Sequence, residues 1–218
     1  MKLHEYFRSS ASFRVRIALN LKGLQYESVG VNLVRDGGQQ LTPAYRALNP
    51  DGLVPALVDD SQAPPLLLTQ SLAIIEYLDE AYPTPPLLPT GAADRAWVRG
   101  IALAIACDIH PVNNLRVLRY LVRDLHHTED EKNAWYRHWC EQGLAALEVS
   151  LARDPRVGQF CFGDTPTLAD CCLVPQLWNA QRFNCDMSAM PTLLRINQAC
   201  VERDAFRLAM PALQPDAE

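Results

Sequence analysis

The chain has 218 residues, 49% of them hydrophobic and 21% charged, with a formal net charge of −5 at pH 7. That apolar share suffices for a buried core and excludes a disordered chain, and the negative charge excludes a sequence-independent nucleic-acid binder, which needs a basic face. No run nears the roughly 18 apolar residues of a membrane span and the N-terminus has no apolar leader segment, so the expected location is the cytoplasm.

In chain order, MKLHEYF reads as a strand, ASFRVRIALNLKG as a helix closed by Gly23, and QYESVGVNL as a second strand. A polar stretch follows, then a short helical piece, a turn at Asn49 to Gly52, and a strand entered through Val54 and Pro55. PLLLT pairs with that strand as a hairpin. The helix QSLAIIEYLDEAY then places Leu72, Ile75 and Leu78 on one face, with Ser71 as a ready N-cap. The order βαβ followed by ββα defines an α/β domain over residues 1–82.

Between Tyr82 and Gly91 four prolines in ten residues forbid a continuous helix or strand, so residues 83–91 are expected to be a linker. Beyond it strand signals fade. The segments Ala92 to Leu125, Glu131 to Leu151 and Thr167 to Phe183 carry helical periodicity, which predicts an all-α helical-bundle domain over 92–218. All seven cysteines, at 107, 140, 161, 171, 172, 185 and 200, lie in this part. Their odd number and the lack of a Cys-x-x-Cys pair fit reduced, mostly buried thiols rather than a disulfide framework.

Chemistry is concentrated where the first strand meets the first helix, in EYFRSSASFRVRIAL. A helix start is already electropositive, so arginines at 8, 14 and 16 beside three serines suggest an anion. Arg16 and Asn20 form a polar stripe on that helix. Arg14 projects among apolar positions and calls for a carboxylate partner on a neighbouring element. Arg8 and Ser9 stand where the chain leaves the strand. A hydroxyl there either caps the helix or donates to a thiolate that the helix dipole helps to ionise.

Three features stand out further on. Pro111 in CDIHPVNNLR should kink or interrupt its helix, with His110, Asn113 and Asn114 three and four residues apart on one face, satisfying the broken turn or lining a site. Arg182 sits late in a helix, where a cation is electrostatically favoured. Thr167 and Asp170 make a capping-box pattern that supports folding. The histidines at 126, 127 and 138 lack metal-ligand spacing, so no metal is expected, and neither a Gly-x-Gly-x-x-Gly nor a P-loop implies a nucleotide.

RSSASFRVRIALNLKG, ALNPDGLVPAL, TQSLAIIEYLDEAYPTPPLLP and DTPTLADCCLVPQ together resemble the glutathione transferase family, specifically its zeta class, over nearly the whole chain. The resemblance implies a thioredoxin-like N-terminal domain, an all-helical C-terminal domain, a homodimer, and glutathione as cofactor. It gives Ser9 the glutathione sulfur, with Ser10 beside it. Val54, before an expected cis Pro55, takes the cysteinyl backbone, and Gln70 and Ser71 take the γ-glutamyl end. Gln40 is a further contact, and His110 and Asn114 border the glutathione and substrate cavity. Arg8 and Arg182, with Arg116 as a weaker third, would hold the carboxylates of a dianionic substrate.

One position departs from the class, which carries Ser-Ser-Cys where this chain has Ala11. The N-terminal domain therefore holds no cysteine, and a thioredoxin-like mechanism through a protein thiol is excluded. The implied activity is glutathione-dependent cis–trans isomerisation of maleylacetoacetate in aromatic amino-acid catabolism, with maleylpyruvate of gentisate catabolism as the alternative. A general conjugating transferase or dehalogenase is the rival within the fold. A non-catalytic binding protein is the rival outside it.

Overall fold

The computed structural model describes residues 1–218, which divide into two compact units, one of residues 1–86 with 203–218 and the other of residues 87–202. The first unit contains a four-stranded sheet in the order β2-β1-β3-β4. β1 (Lys2–Glu5) runs parallel to β2 (Glu27–Gly30) and antiparallel to β3 (Ala56–Asp59), which pairs antiparallel with β4 (Leu66–Thr69). The second strand is thus shorter than the apolar pattern of residues 25–33 suggests.

Three helices complete this unit's first 86 residues: α1 (Ser10–Leu21), α2 (Pro43–Leu48) and α3 (Ser71–Ala81). α1 packs against α3, and Leu3, Phe13, Ile17, Leu57, Ile74, Ile75 and Leu78 are fully or almost fully buried. Burying such side chains, at about 1.5–3 kcal/mol each, is the main force holding the layers together. The buried Lys22 ammonium closes α1 by donating to Asp79 Oδ1 at 2.9 Å and to the carbonyls of Tyr82 at 2.7 Å and Pro85 at 2.9 Å.

Two expectations change here. Arg16 is no exposed stripe: it is fully buried, and its Nη1 lies 2.5 Å from Oε2 of the equally buried Glu5. The polar stripe of Arg16 and Asn20 is covered instead by residues that return from much later in the chain. Arg16 Nε donates to Ala209 O at 3.0 Å and Asn20 Nδ2 to Ala205 O at 3.0 Å. Residues 203–218, expected with the helical bundle, therefore belong to the sheet-bearing unit, including the short α9 (Asp204–Arg207).

The second unit is built from α4 (Ala92–Leu103), α5 (Leu115–Arg123), α6 (Glu129–Arg153), α7 (Leu168–Arg182) and α8 (Pro191–Val201). α7 packs on α4 and α8, and carries the largest run of buried residues. Between α4 and α5 the chain winds as a π-helix over Ala104–Ile109, then one 3-10 turn over Pro111–Asn113. Pro111 lacks the N–H a continuous helix needs, and the His110 N–H bonds back to Ile105 O at 2.9 Å. Six of the seven cysteines are buried and all are free thiols. No helix is long and apolar enough to cross a membrane.

Candidate active site

β1 ends in a tight turn, Tyr6 to Ser9, closed by the Ser9 N–H to Tyr6 O bond at 2.9 Å. Phe7 and Arg8 are its central residues. Ser9 then serves as N-cap of α1, its hydroxyl oxygen accepting from the Ser12 N–H at 3.2 Å. Capping uses only the oxygen, so the hydroxyl hydrogen stays available to a thiolate; the two readings of this serine coexist. No acidic residue stands in the first turn of α1, which leaves its positive end unneutralised. Ser10, the first helical residue, is buried.

The Arg8 side chain is held rigidly. Its Nη2 and Nε donate to the Tyr6 hydroxyl at 2.7 and 3.2 Å, and its guanidinium carbon lies 5.0 Å from the Phe7 ring centroid. Tyr6 and Phe7 are themselves locked edge to face at 4.8 Å within an apolar cluster with Val31, Tyr45 and Val54. A fork seated on aromatic faces keeps its remaining N–H groups for a carboxylate. Sequence reasoning missed Tyr6; its place two residues before Arg8 was the available signal.

Beside this turn in the same unit stand the other residues assigned to glutathione. Val54 lies two residues ahead of β3, outside the strand ladder, and the Val54–Pro55 peptide is cis. Below it Tyr45 Oη and Asn49 Nδ2 both donate to Leu53 O, at 2.7 and 2.8 Å, and so brace the loop that carries Val54. Burial holds the Tyr45 hydroxyl pKa up at about 12, so it remains a donor.

Gln70, at the start of α3, has φ 68° and ψ 113°, a backbone conformation costing of order 1–3 kcal/mol, and makes no capping bond. α3 also lacks an acidic residue in its first turn, so its N-terminus suits a carboxylate ligand. Ser71 is buried and accepts from Nη1 of the buried Arg14 at 3.3 Å. Gln40 is buried with its Oε1 lacking a hydrogen bond. A Cβ on Gly38 would come within 2.5 Å of the Gln40 amide, so glycine there makes room for it. An orphaned amide oxygen, a bare helix start and a spare hydroxyl hydrogen fit a peptide-like ligand with a thiol and a carboxylate.

The second unit holds the rest. Asn114 is the N-cap of α5, its Oδ1 accepting from the Arg116 N–H at 3.1 Å. Asn113 points elsewhere, donating to Tyr136 O at 3.3 Å, so the helical face expected for His110, Asn113 and Asn114 is broken up by the 3-10 turn. Arg116 is exposed. Arg182, exposed at the end of α7, donates to Asn179 Oδ1 at 3.0 Å and lies over Trp178 and Phe183 at 5.1 and 5.3 Å.

Family models of the glutathione S-transferase N-terminal and C-terminal domains match residues 3–86 and 133–202. A probable maleylacetoacetate isomerase of Vibrio cholerae is 51% identical over 99% of this chain and 97% of its own length. The chain belongs to the glutathione transferase family. Within it the likeness is to the zeta class: a holo maleyl pyruvate isomerase structure described as a bacterial zeta-class enzyme superposes with a TM-score of 0.95, at 50% identity over all of both chains. A maleylacetoacetate isomerase of Methylobacterium extorquens AM1, solved with malonate and glutathione bound, gives 0.94 at 41% identity, again over both whole chains. The transferase fold, a thioredoxin-like sheet domain with an all-helical domain, is thereby established for this chain.

Proposed function

We propose that the chain is a glutathione-dependent cis–trans isomerase of maleylacetoacetate, with maleylpyruvate as the alternative substrate, working in the cytoplasm as a homodimer. The observation that carries this reading is the Tyr6–Ser9 turn. It presents, side by side, a capping serine with a spare hydroxyl hydrogen and a guanidinium preset on aromatic faces. Relatives named for both maleyl substrates, and a structural neighbour solved with malonate and glutathione bound, support the same assignment.

Glutathione, when bound, supplies the sulfur nucleophile that adds reversibly to the cis double bond and so permits rotation. The chain's own residues prepare for this. Ser9 donates to the sulfur, and together with the α1 N-terminus it favours thiolate over thiol. A free thiol near pKa 8.5 is only a few per cent ionised at neutral pH, so lowering it by about 2 makes thiolate the major form. Val54, Gln40, Gln70, Ser71 and Ser10 fix the tripeptide, with His110 and Asn114 as further contacts. Arg8 and Arg182 hold the substrate's carboxylates, Arg116 contributing less, and Arg8 stabilises negative charge as it develops. Ala11 offers no competing thiol, so within the N-terminal domain the nucleophilic sulfur must be the cofactor's.

The test is an ultraviolet isomerase assay with both maleyl substrates, with and without glutathione. Glutathione-dependent isomerisation is expected, faster with maleylacetoacetate. Accumulation of a glutathione adduct without isomerisation would overturn the assignment in favour of a conjugating transferase.

A further inference from the structure

The Tyr6–Ser9 turn fixes its own shape by one internal bond, but that bond does not fix its tilt against the sheet. The peptide groups of Phe7 do. The Phe7 carbonyl accepts from Arg16 Nη2 at 3.0 Å, and Arg16 is anchored by Glu5 and by Ala209 O. The Phe7 N–H donates to Asp216 Oδ2 at 2.9 Å, from 209 residues further along the chain. Asp216 packs against Gly30 on β2, where an added Cβ would come within 3.3 Å of the Asp216 Cβ. Two residues on, Glu218 accepts from Asn32 Nδ2 at 3.0 Å and Arg35 Nη2 at 2.7 Å, in the loop that leads to Gln40.

We infer that Asp216 is a positioning residue: by accepting from the Phe7 N–H, this C-terminal tail sets the attitude of the turn that presents Arg8 and Ser9. The inference rests on reading Ser9 as the partner of the glutathione sulfur. The bond explains why an aspartate sits here, since a shielded N–H at the centre of a turn needs an acceptor that the turn cannot supply. The charged group that faces Asp216 is Glu5, which is itself paired with Arg16. A hydroxyl displaced by a few tenths of an ångström bonds a thiolate less well, so the tail acts on ionisation of the sulfur at one remove.

The experiment titrates the ultraviolet thiolate absorbance of glutathione bound to the full-length protein. In Asp216→Ala the apparent pKa of the bound thiol should rise by about 1, with neutral-pH turnover falling about 3- to 10-fold and recovering as pH is raised. Asp216→Asn keeps the acceptor and should stay near wild type. Gly30→Ala, which pushes on the Asp216 Cβ, should raise the pKa by less but in the same direction, and it decides the matter if Asp216→Ala does not fold. A thiol pKa unchanged in Asp216→Ala, or in Gly30→Ala where the former is unfolded, overturns the inference, because a purely structural tail would move only Tm. An Asn variant as impaired as the Ala variant overturns it too. If the wild-type protein itself develops no thiolate band with glutathione, the reading of Ser9 fails instead, and the two failures are distinct.

Discussion

Arg8 and Tyr6, two residues apart at the end of β1, are joined by a double hydrogen bond in which one phenol oxygen accepts from both Nη2 and Nε of the guanidinium. A side chain that would otherwise sample many rotamers is thereby committed before substrate arrives. Tyr6→Phe removes only the oxygen. It is expected to raise KM for a maleyl substrate about 3- to 10-fold while conjugation of chlorodinitrobenzene, which carries no carboxylate, stays within about twofold. Arg8→Ala should cost about 10- to 100-fold in kcat/KM for the dianion, again sparing the neutral electrophile. Equal losses on both substrates would show that the pair supports the fold rather than the carboxylates.

Ser9 performs two tasks with different signatures. Ser9→Ala deletes the cap of α1 and the donor to sulfur together, so about 1 kcal/mol of stability and most of the turnover should be lost. Ser9→Gly loses the same donor but only a few tenths of a kcal/mol. Chemical denaturation beside isomerase kinetics separates the two, and activity in Ser9→Gly near that of wild type would refute the role of the hydroxyl.

A pH signature lies away from the site. Burial tends to raise the Asp59 carboxyl, but the Tyr77 hydroxyl at 2.6 Å and the Ser61 amide and hydroxyl outweigh it, so its pKa is lowered below 3.8. The same bond to Asp59, with burial, raises Tyr77 to about 12. A lowered acid stabilises above its unfolded pKa and loses that contribution as pH falls through the folded one; a raised phenol loses its contribution as pH rises from 10 toward 12. Tyr77→Phe should therefore cost about 1 kcal/mol between roughly pH 4 and 10, with the gap to wild type closing at both ends. A gap in Tm that does not vary with pH would contradict it.

Two glycines of the helical unit should respond oppositely to alanine. Gly100, in α4, has open space where a Cβ would stand, so Gly100→Ala should stabilise by up to about 1 kcal/mol through helix propensity. Gly143, in α6, faces the π-helical segment, and its Cβ would come within 2.4 Å of Ile109 Cγ1. Gly143→Ala should destabilise by about 1–3 kcal/mol despite the same propensity gain. Thermal melts of the two variants check the pair.

How far the sequence reveals this molecule depends on the range of the interactions. Strands β3 and β4, α3 and the break at Pro111 were legible because alternation, helical spacing and proline act locally. Asp170 was legible as a cap, and the Thr167 N–H does donate to it at 2.7 Å. That it also accepts from the Cys161 N–H at 2.8 Å, fully buried, was not, because that contact depends on a loop whose path has no periodicity. Arg16 shows the same limit more sharply. Four residues before Asn20 it looks like a solvated stripe, and only Glu5 and the carbonyl of Ala209 turn it into the centre of a buried network. The roles given to Val54, Gln70 and Arg182 came from family likeness, whereas for Ser9 the strand-to-helix junction already offered a cap or a thiolate donor and the likeness added the glutathione sulfur.

The partition of the chain also bears on how it is made. Residues 203–218 emerge from the ribosome only after all of the helical unit, yet they supply the acceptors for Arg16 Nε and the Phe7 N–H. While the helices are still being translated, the Nε–H of Arg16 and the N–H of Phe7 lack acceptors that do not yet exist. Phe7 and Arg16 are thus translated early yet are among the last to reach their final state, and loss of residues 203–218 would be felt at the Tyr6–Ser9 turn.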